Sequence, residues 1–256
     1  MTNATAATRA LLALRALASA AGPMTASSLA RQLGLPRSSA YHLLSAMQAA
    51  GFVAHYPEEG RWGLGVGAFE IGAAYLRHEP LERFGRPVLH RLAHDIAGVA
   101  PAVAHLGVLH GREVLYLLTE SPRHPVTTVA EVGVRLPASL TASGRALLAD
   151  LPAAQIRALF PSRDAFVDRT GRGPMSPSAL TRLLAVERGR GFAEEDGFIV
   201  EGFASVAVAA RDHSGRPLAS VGLTFRSDRV DGPARGRLVA LAARGAREVS
   251  RRMGAA

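Results

Sequence analysis

The 256-residue chain contains no cysteine, no lysine and one tryptophan. The lack of cysteine excludes disulfide bonds and thiolate metal sites, and it suits a reducing compartment. No segment approaches the ~18 consecutive apolar residues that span a membrane. Arg15 interrupts the N-terminal apolar run, which is typical of an amphipathic first helix and not of a signal peptide. We therefore expect a cytoplasmic protein with no membrane partner.

The charge of the chain comes from 30 arginines against 21 acidic residues, a net +9. Such an excess favours a polyanionic partner. It is nevertheless spread along the chain, because residues 1–78 hold six of the arginines and three of the acids. Charge alone therefore does not locate a nucleic-acid site. A hydrophobic content of 48% indicates a globular protein, long enough for two domains with cores of their own.

The stretch LARQLGLPRSSAYHLLSAM, from Leu29 to Met47, predicts two helices joined by a tight turn. Gly34 supplies the backbone freedom of the turn, and Pro36 is expected at the first position of the second helix. That helix has one apolar face, formed by Ala40, Leu43, Leu44 and Met47. Its opposite face is uncharged and hydrogen-bonding, with Ser38, Tyr41, His42 and Ser45. Such a face suits a helix in a DNA groove, and the alternative is an amphipathic helix packed in a small bundle.

A β-hairpin is predicted directly after these helices, with strands at Phe52–His55 and Arg61–Leu64, which makes the module a winged helix-turn-helix. A linker helix is expected over Leu64–Leu76. Its apolar face would comprise Val66, Phe69, Ala73 and Leu76. The first helix of the chain is expected to bury Leu11, Leu14 and Ala18. The predicted domains are residues 1–64, a linker at 65–79, and a second domain at 80–256.

The second domain mixes helices and strands without a regular alternation, so we predict an α+β fold with an antiparallel sheet. Two apolar hairpins are expected, one turning at His110–Arg112 and one at Asp212–Gly215. The stretch Pro161–Pro177 is interpreted as a loop. Helices are predicted at Leu81–Ala97, Ser143–Ala149, Ala153–Phe160, Ser178–Arg188 and Arg235–Met253.

Metal and catalytic motifs are weak in this chain. His90 and His94 lie four residues apart on a predicted helix, but no third ligand follows at a motif distance, so a surface or packed pair is the favoured interpretation. No serine or histidine lies in a nucleophile-elbow or protease-like context. We therefore predict no metal site, no cofactor and no enzymatic activity.

Three motifs in order carry a family resemblance: LARQLGLPRSSAYHLLSAMQAAGFV, LPASLTASGRALLA and GFAEEDGFIVEGFASVAVAARDHSGRPLASVGLT. In a chain of this length they resemble the IclR family of bacterial transcriptional regulators. The resemblance implies an N-terminal winged helix-turn-helix, a linker helix and a C-terminal GAF-like effector domain. It also implies a ligand-responsive regulator, with repression of a catabolic operon expected, that binds double-stranded operator DNA as a homodimer or a dimer of dimers.

The DNA-contacting set is expected on the second helix, on the wing and at the start of the first helix of the motif. Arg37 can reach a phosphate or a guanine edge, and Arg61 can reach a minor groove or the backbone. Many family members carry arginine where this chain has His42, so the base contact at this position is left open. The full set is Thr25, Arg37, Ser38, Ser39, Tyr41, His42 and Arg61.

The effector site is expected where Thr141, Ala142 and Ser143 open a helix, because free amide groups there favour an anion such as a carboxylate. A simple N-cap explains this stretch equally well. The resemblance adds Glu195, Ser205, Gly222 and Thr224, and Leu140 and Val221 are expected to enclose the carbon skeleton. Many relatives carry Asp, Cys and Ser at 195, 205 and 222, so the pocket should differ from that of glyoxylate- and pyruvate-responsive members. An aromatic acid, another small acid and an uncharged ligand all stay open.

A second hypothesis from another class is a sensor domain coupled to an enzyme or a protein-interaction partner, with the N-terminal helices used for assembly. Specific duplex binding that weakens steeply with salt distinguishes the regulator from this alternative.

Overall fold

The computed structural model describes residues 5–78, 80–122 and 130–254, with the side chains of 73–78 and 80 left out of the description. These residues divide into two compact units, Met1–Glu79 and Pro80–Ala256. No described helix is long and apolar enough to cross a membrane.

The first unit is a winged helix-turn-helix, as predicted. Its three strands form an antiparallel sheet in the order β1-β3-β2. Its elements are α1 (Ala6–Ser19), β1 (Met24–Thr25), α2 (Ala26–Leu33), α3 (Arg37–Ala49), β2 (Val53–Tyr56), β3 (Arg61–Leu64) and α4 (Val66–His78). The helix α4 begins two residues later than expected because Leu64 stays in β3, where it pairs with Val53.

The turn between α2 and α3 has the predicted glycine geometry. Gly34 has a φ of +64° and its N–H donates to the Arg31 carbonyl, while the N–H of Leu35 donates to the Ala30 carbonyl. This left-handed cap ends α2. Pro36 lies one residue earlier than predicted, at the N-cap of α3, where its carbonyl accepts the Ala40 N–H at 3.1 Å.

The predicted inner face of α1 is wrong at two of its three residues, whereas Leu14 is half-buried and packs against the core. Leu11 is 63% exposed and Ala18 is exposed, whereas Ala13, Ala16 and Leu17 are buried. Apolar residues surround much of this helix, so the periodicity alone permits more than one inner face. The small side chains of Ala13 and Ala16 allow α1 to approach α2 and β3, which it contacts.

The second unit is built on one antiparallel sheet in the strand order β6-β5-β4-β9-β8-β7. The short strands β6 and β7 were not predicted. Turns of 3₁₀-helix lie at Arg163–Ala165 and Ser227–Arg229. The elements are α5 (Pro80–Ala97), β4 (Ala102–His110), β5 (Glu113–Glu120), β6 (Arg135–Pro137), α6 (Ala142–Ala149), α7 (Ala153–Leu159), α8 (Pro177–Arg190), β7 (Ala193–Asp196), β8 (Phe203–Arg211), β9 (Pro217–Arg226) and α9 (Gly232–Arg252).

The two faces of this sheet are covered by different helices. Helices α5 and α9 cover one face, where Val221 and Leu223 of β9 lie in the main apolar core. Because side chains alternate along a strand, Gly222 and Thr224 lie on the opposite face, toward α6. The prediction that Val221 encloses a ligand is therefore wrong.

Two leucine substitutions on α1 test the corrected face. We expect Leu17→Ala to destabilise the first unit by about 2–5 kcal/mol, because it leaves a cavity in the core. Leu11→Ala, the matched control, should change stability by less than about 0.5 kcal/mol. Trp62, the one tryptophan of the chain, is buried in the same core, so its fluorescence during urea unfolding reports this unit. Equal effects of the two variants would contradict the assignment.

Candidate effector pocket and DNA-binding surface

A cavity of about 140 Å³ lies in the second unit between the start of α6 and the sheet. An engineered apolar cavity of about 150 Å³ in another protein holds one benzene ring. The cavity therefore suits a molecule of about one small ring or a short chain.

Six of the eight predicted effector residues line this cavity: Thr141, Ala142, Ser143, Glu195, Ser205 and Thr224. The other two, Leu140 and Gly222, do not line it. The lining residues that the sequence did not indicate are Tyr116, Ala130, Leu136, Ile199, Val200 and Phe203. They come from distant segments that carry no ligand-binding motif, so no local pattern marks them.

The start of α6 presents hydrogen-bond donors to the cavity. Thr141 is the N-cap, and its Oγ1 accepts the Gly144 N–H at 3.0 Å. Within the described part of the chain, the N–H groups of Ala142 and Ser143 have no acceptor. Amide groups at a helix start point outward and carry partial positive charge. This wall therefore favours a ligand oxygen with negative charge.

A buried carboxyl group forms another wall. Glu195 is 4% exposed, and its Oε1 accepts from the Ser205 hydroxyl at 2.8 Å while its Oε2 accepts from the Phe198 N–H at 3.0 Å. Ser205 also lies 2.9 Å from the Thr224 hydroxyl, since Glu195, Ser205 and Thr224 are cross-strand neighbours on β7, β8 and β9. Burial raises the pKa of Glu195, and its two hydrogen bonds oppose the shift.

Gly222 has a steric function at the back of the cavity. A Cβ at this position would lie 2.6 Å from the Ser143 Oγ, so the glycine makes room for that hydroxyl. The Ser143 side chain interacts with the Tyr116 hydroxyl, and burial raises the pKa of Tyr116 and keeps the phenol neutral. The corner of the cavity beside Gly222 therefore holds two hydroxyls, one from Ser143 of α6 and one from Tyr116 of β5.

His105 lies beside this corner on β4, where it pairs with Gly222, and its ring centroid is 5.4 Å from that of Tyr116. It is 1% exposed, and neither ring nitrogen has a hydrogen-bond partner among the described residues. Burial lowers the pKa of His105 to about 3, so the imidazole is neutral at physiological pH. The sequence analysis did not select this residue.

A buried ion pair fastens the walls of the cavity together. Arg145 of α6 is fully buried, and its Nε donates to both carboxylate oxygens of Glu187 on α8, at 3.0 and 3.1 Å. Its Nη1 donates to the Leu140 carbonyl at 2.8 Å and its Nη2 to the Glu194 carbonyl at 2.6 Å. Burial lowers the pKa of Arg145 and raises that of Glu187, and their mutual attraction opposes both shifts.

Removal of one partner of this pair should be costly. We expect Arg145→Met to destabilise the second unit by about 3–5 kcal/mol, because it leaves the Glu187 carboxylate buried without its cation. The double variant Arg145→Met, Glu187→Leu should recover part of this loss. Denaturant unfolding followed by circular dichroism measures both. A single variant as stable as the parent would contradict this role of the pair.

The residues of α3 that are predicted to contact DNA are mostly accessible in the first unit. Ser38, Tyr41 and His42 are exposed, with Tyr41 at 48%, and Ser39 is half-buried. Arg37 is exposed at the start of α3, and its Nη2 donates to the Ser27 hydroxyl at 2.6 Å. Four of these five side chains are therefore accessible to a partner.

Two members of the predicted DNA-contacting set also have structural partners. Thr25 caps α2, because its Oγ1 accepts the Ser28 N–H at 3.2 Å. Arg61 donates to the Pro23 carbonyl at 2.8 Å and lies 3.8 Å from the Glu59 carboxylate. Both residues are exposed and pair with each other across β1 and β3, so they hold the base of the wing.

The histidine pair of α5 is on the surface. His90 and His94 are both exposed, and no cluster of three or more potential metal ligands occurs in the ranges that the structure describes.

Comparison with known proteins assigns both units. Residues 6–57 match the profile of the IclR helix-turn-helix domain, and residues 73–251 match that of the bacterial transcriptional regulator IclR C-terminal domain. The chain belongs to the IclR family. It is an IclR-type DNA-binding transcriptional regulator, and the predicted fold class is confirmed.

Relatives of this chain are transcriptional regulators. The chain is 34% identical to the glycerol operon regulatory protein of Streptomyces coelicolor, over 96% of this chain and 95% of the relative. It is 28% identical to the transcriptional repressor IclR of Escherichia coli, over 87% and 80%.

Solved IclR-family structures share the fold. A regulator from Alicyclobacillus acidocaldarius gives a TM-score of 0.85 at 21% identity, over 97% of this chain and 98% of that one. An IclR homolog from Microbacterium hydrocarbonoxydans, solved in complex with 4-hydroxybenzoate, gives 0.81 at 24% identity, over 97% and 99%.

Proposed function

We propose that this IclR-family regulator represses a catabolic operon and that a small carboxylate in the cavity of the second unit controls its affinity for the operator. The cavity carries this proposal, because it combines free amide groups at a helix start with apolar walls and a volume of about 140 Å³. The 4-hydroxybenzoate complex of a family member supports a single-ring acid as one candidate. The chain senses its ligand without converting it, and it acts in the cytoplasm, where its operator is.

Operator binding is proposed to require two copies of the chain. One recognition helix per chain reads few base pairs, so two copies related by a two-fold axis would bind a pseudopalindrome. Val66 is 66% exposed and Phe69 is 75% exposed on one face of α4. This apolar face supports a homodimer, or a dimer of dimers, formed through α4. The other predicted members of the face, Ala73 and Leu76, lie outside the described side chains.

We propose that the linker transmits the effect of ligand binding to the DNA-binding unit. A bound ligand changes operator affinity only when it favours one arrangement of the DNA-binding units over another. In this proposal residues 1–64 bind DNA, residues 65–79 transmit the change and residues 80–256 bind the ligand.

Substitution of Arg37 tests the DNA-binding surface. If Arg37 contacts a base, Arg37→Ala should weaken operator binding by about 1–3 kcal/mol and affect non-specific DNA less. If it contacts only phosphate, both DNAs should lose affinity alike and the salt slope should fall by about one. Fluorescence anisotropy at several salt concentrations distinguishes these results.

The matched control for this test is Ser27→Ala. It removes the hydrogen bond between Arg37 and Ser27 but keeps the guanidinium, so operator affinity should change little. Unchanged affinity of Arg37→Ala on both DNAs would exclude Arg37 from the interface.

A double substitution tests the pocket. Ser143→Leu with Ser205→Leu should fill the cavity and abolish the response to monocarboxylates, while the unliganded protein still binds the operator. Thermal shifts and operator binding in the presence of benzoate, 4-hydroxybenzoate, pyruvate and acetate measure the two properties. Ser178→Leu, at an exposed position of α8, is the control and should respond normally. A folded double variant that responds at the parental concentration would place the site elsewhere.

A further inference from the structure

A carboxylate ligand in this cavity would lie close to a second carboxyl group, that of Glu195. Glu195 already places a carboxyl group there, buried and close enough to the Tyr116 hydroxyl for an electrostatic interaction. The same Tyr116 interacts with Ser143 at the helix start that would hold the ligand. Two ionised carboxylates in one small buried site repel each other strongly, so one of them has to be protonated unless a cation compensates.

The described cations near the cavity do not compensate. Arg145 attracts the Glu195 carboxylate, but its guanidinium is fully buried and already donates to Glu187, Leu140 and Glu194. His105 is neutral, because burial lowers its pKa to about 3. Neither group lines the cavity.

The remaining groups around Glu195 are neutral or acidic. Ser205 of β8 and the Phe198 N–H donate to its oxygens, and the Thr224 hydroxyl of β9 lies 2.9 Å from that of Ser205. On its own strand, Asp196 adds negative charge, and that carboxylate is held by Ser227 and Arg235 outside the cavity. Burial and the charge of Asp196 raise the pKa of Glu195, whereas the two hydrogen bonds and the attraction of Arg145 lower it. Burial is the largest of these effects, so the net shift of the pKa is upward.

We propose that the bound effector carboxylate and the carboxyl group of Glu195 share one proton, so that binding takes up a proton from solvent. The protonated Glu195 oxygen donates to one effector oxygen, and the N–H groups of Ala142 and Ser143 donate to the effector carboxylate from the helix start. No other bond is formed or broken. This inference rests on the carboxylate effector of the proposed function, and it makes the response of the regulator depend on pH.

The direction of the pH dependence follows from proton counting. Above the pKa of Glu195 in the free protein, the complex holds one proton more than its separated components. Affinity for a monocarboxylate should therefore fall about tenfold for each unit of rising pH. Below that pKa the proton is already present on Glu195, and affinity should be constant until the free effector itself becomes protonated.

Calorimetry of the full-length protein tests the proposal. The probe is the tightest binder among acetate, pyruvate, benzoate and 4-hydroxybenzoate, titrated between pH 5.5 and 9 in buffers of different ionisation enthalpy. We expect an uptake approaching one proton per bound molecule at the upper end of this range. Below a break in the profile, Kd should be constant.

A glutamate-to-glutamine substitution at each of two neighbouring positions tests whether the proton is bound at Glu195. Glu195→Gln should bind the probe with no proton uptake and no pH dependence over the same range. Glu194→Gln is the matched control, because the Glu194 side chain pairs with Arg190 and Arg235 and does not line the cavity. This control should retain the full uptake.

The outcomes separate the inference from the proposed function. Probe binding with a flat pH profile in the unmodified protein overturns proton sharing alone, and this measurement does not depend on whether a variant folds. Retained uptake in Glu195→Gln also overturns it, because the proton then belongs to another group. Failure of every monocarboxylate to bind overturns the carboxylate effector and this inference together.

Discussion

The arrangement of the candidate effector pocket depends on burying one guanidinium group, that of Arg145. A buried arginine is tolerated only when its N–H groups find acceptors and its charge finds a partner. Arg145 meets this requirement with a carboxylate on α8 and with carbonyls of Leu140 and Glu194. Hydrogen bonds to this one side chain therefore connect the segment before α6 with strand β7. Glu195 follows Glu194, so the ion pair fixes the distance between the helix start and the acidic wall.

Strand β9 contributes alternate residues to the apolar core and to the face that carries the candidate pocket. Val221 and Leu223 lie in the core under α5 and α9, whereas Gly222 and Thr224 lie on the face toward α6. Since neighbouring side chains point to opposite faces, a shift of the strand by one residue would exchange core and site. The pairing of Gly222 with Ala207 and His105 fixes this register from both sides.

Local features of this chain could be predicted from its sequence, and features that depend on distant contacts could not. The turn at Gly34 and the Thr141 cap follow from neighbouring residues, as does the hairpin at Asp212–Gly215. The inner face of α1 depends on which side chains permit close packing, which periodicity does not decide. The Arg145–Glu187 contact joins residues 42 positions apart, and no sequence motif predicts it.

Position 222 shows why a ligand contact known from relatives need not occur at the matching residue of this chain. The resemblance marks position 222 as a ligand contact in relatives that carry serine there. In this chain a Cβ at position 222 would lie 2.6 Å from the Ser143 Oγ, so Gly222 leaves room for that hydroxyl and contributes no polar group of its own. Ser143 lies at the helix start, so its hydroxyl lines the cavity together with the free amide groups. In the proposed complex both would contact the carboxylate, and the contact would depend on the position of α6 and of the buried arginine that holds it.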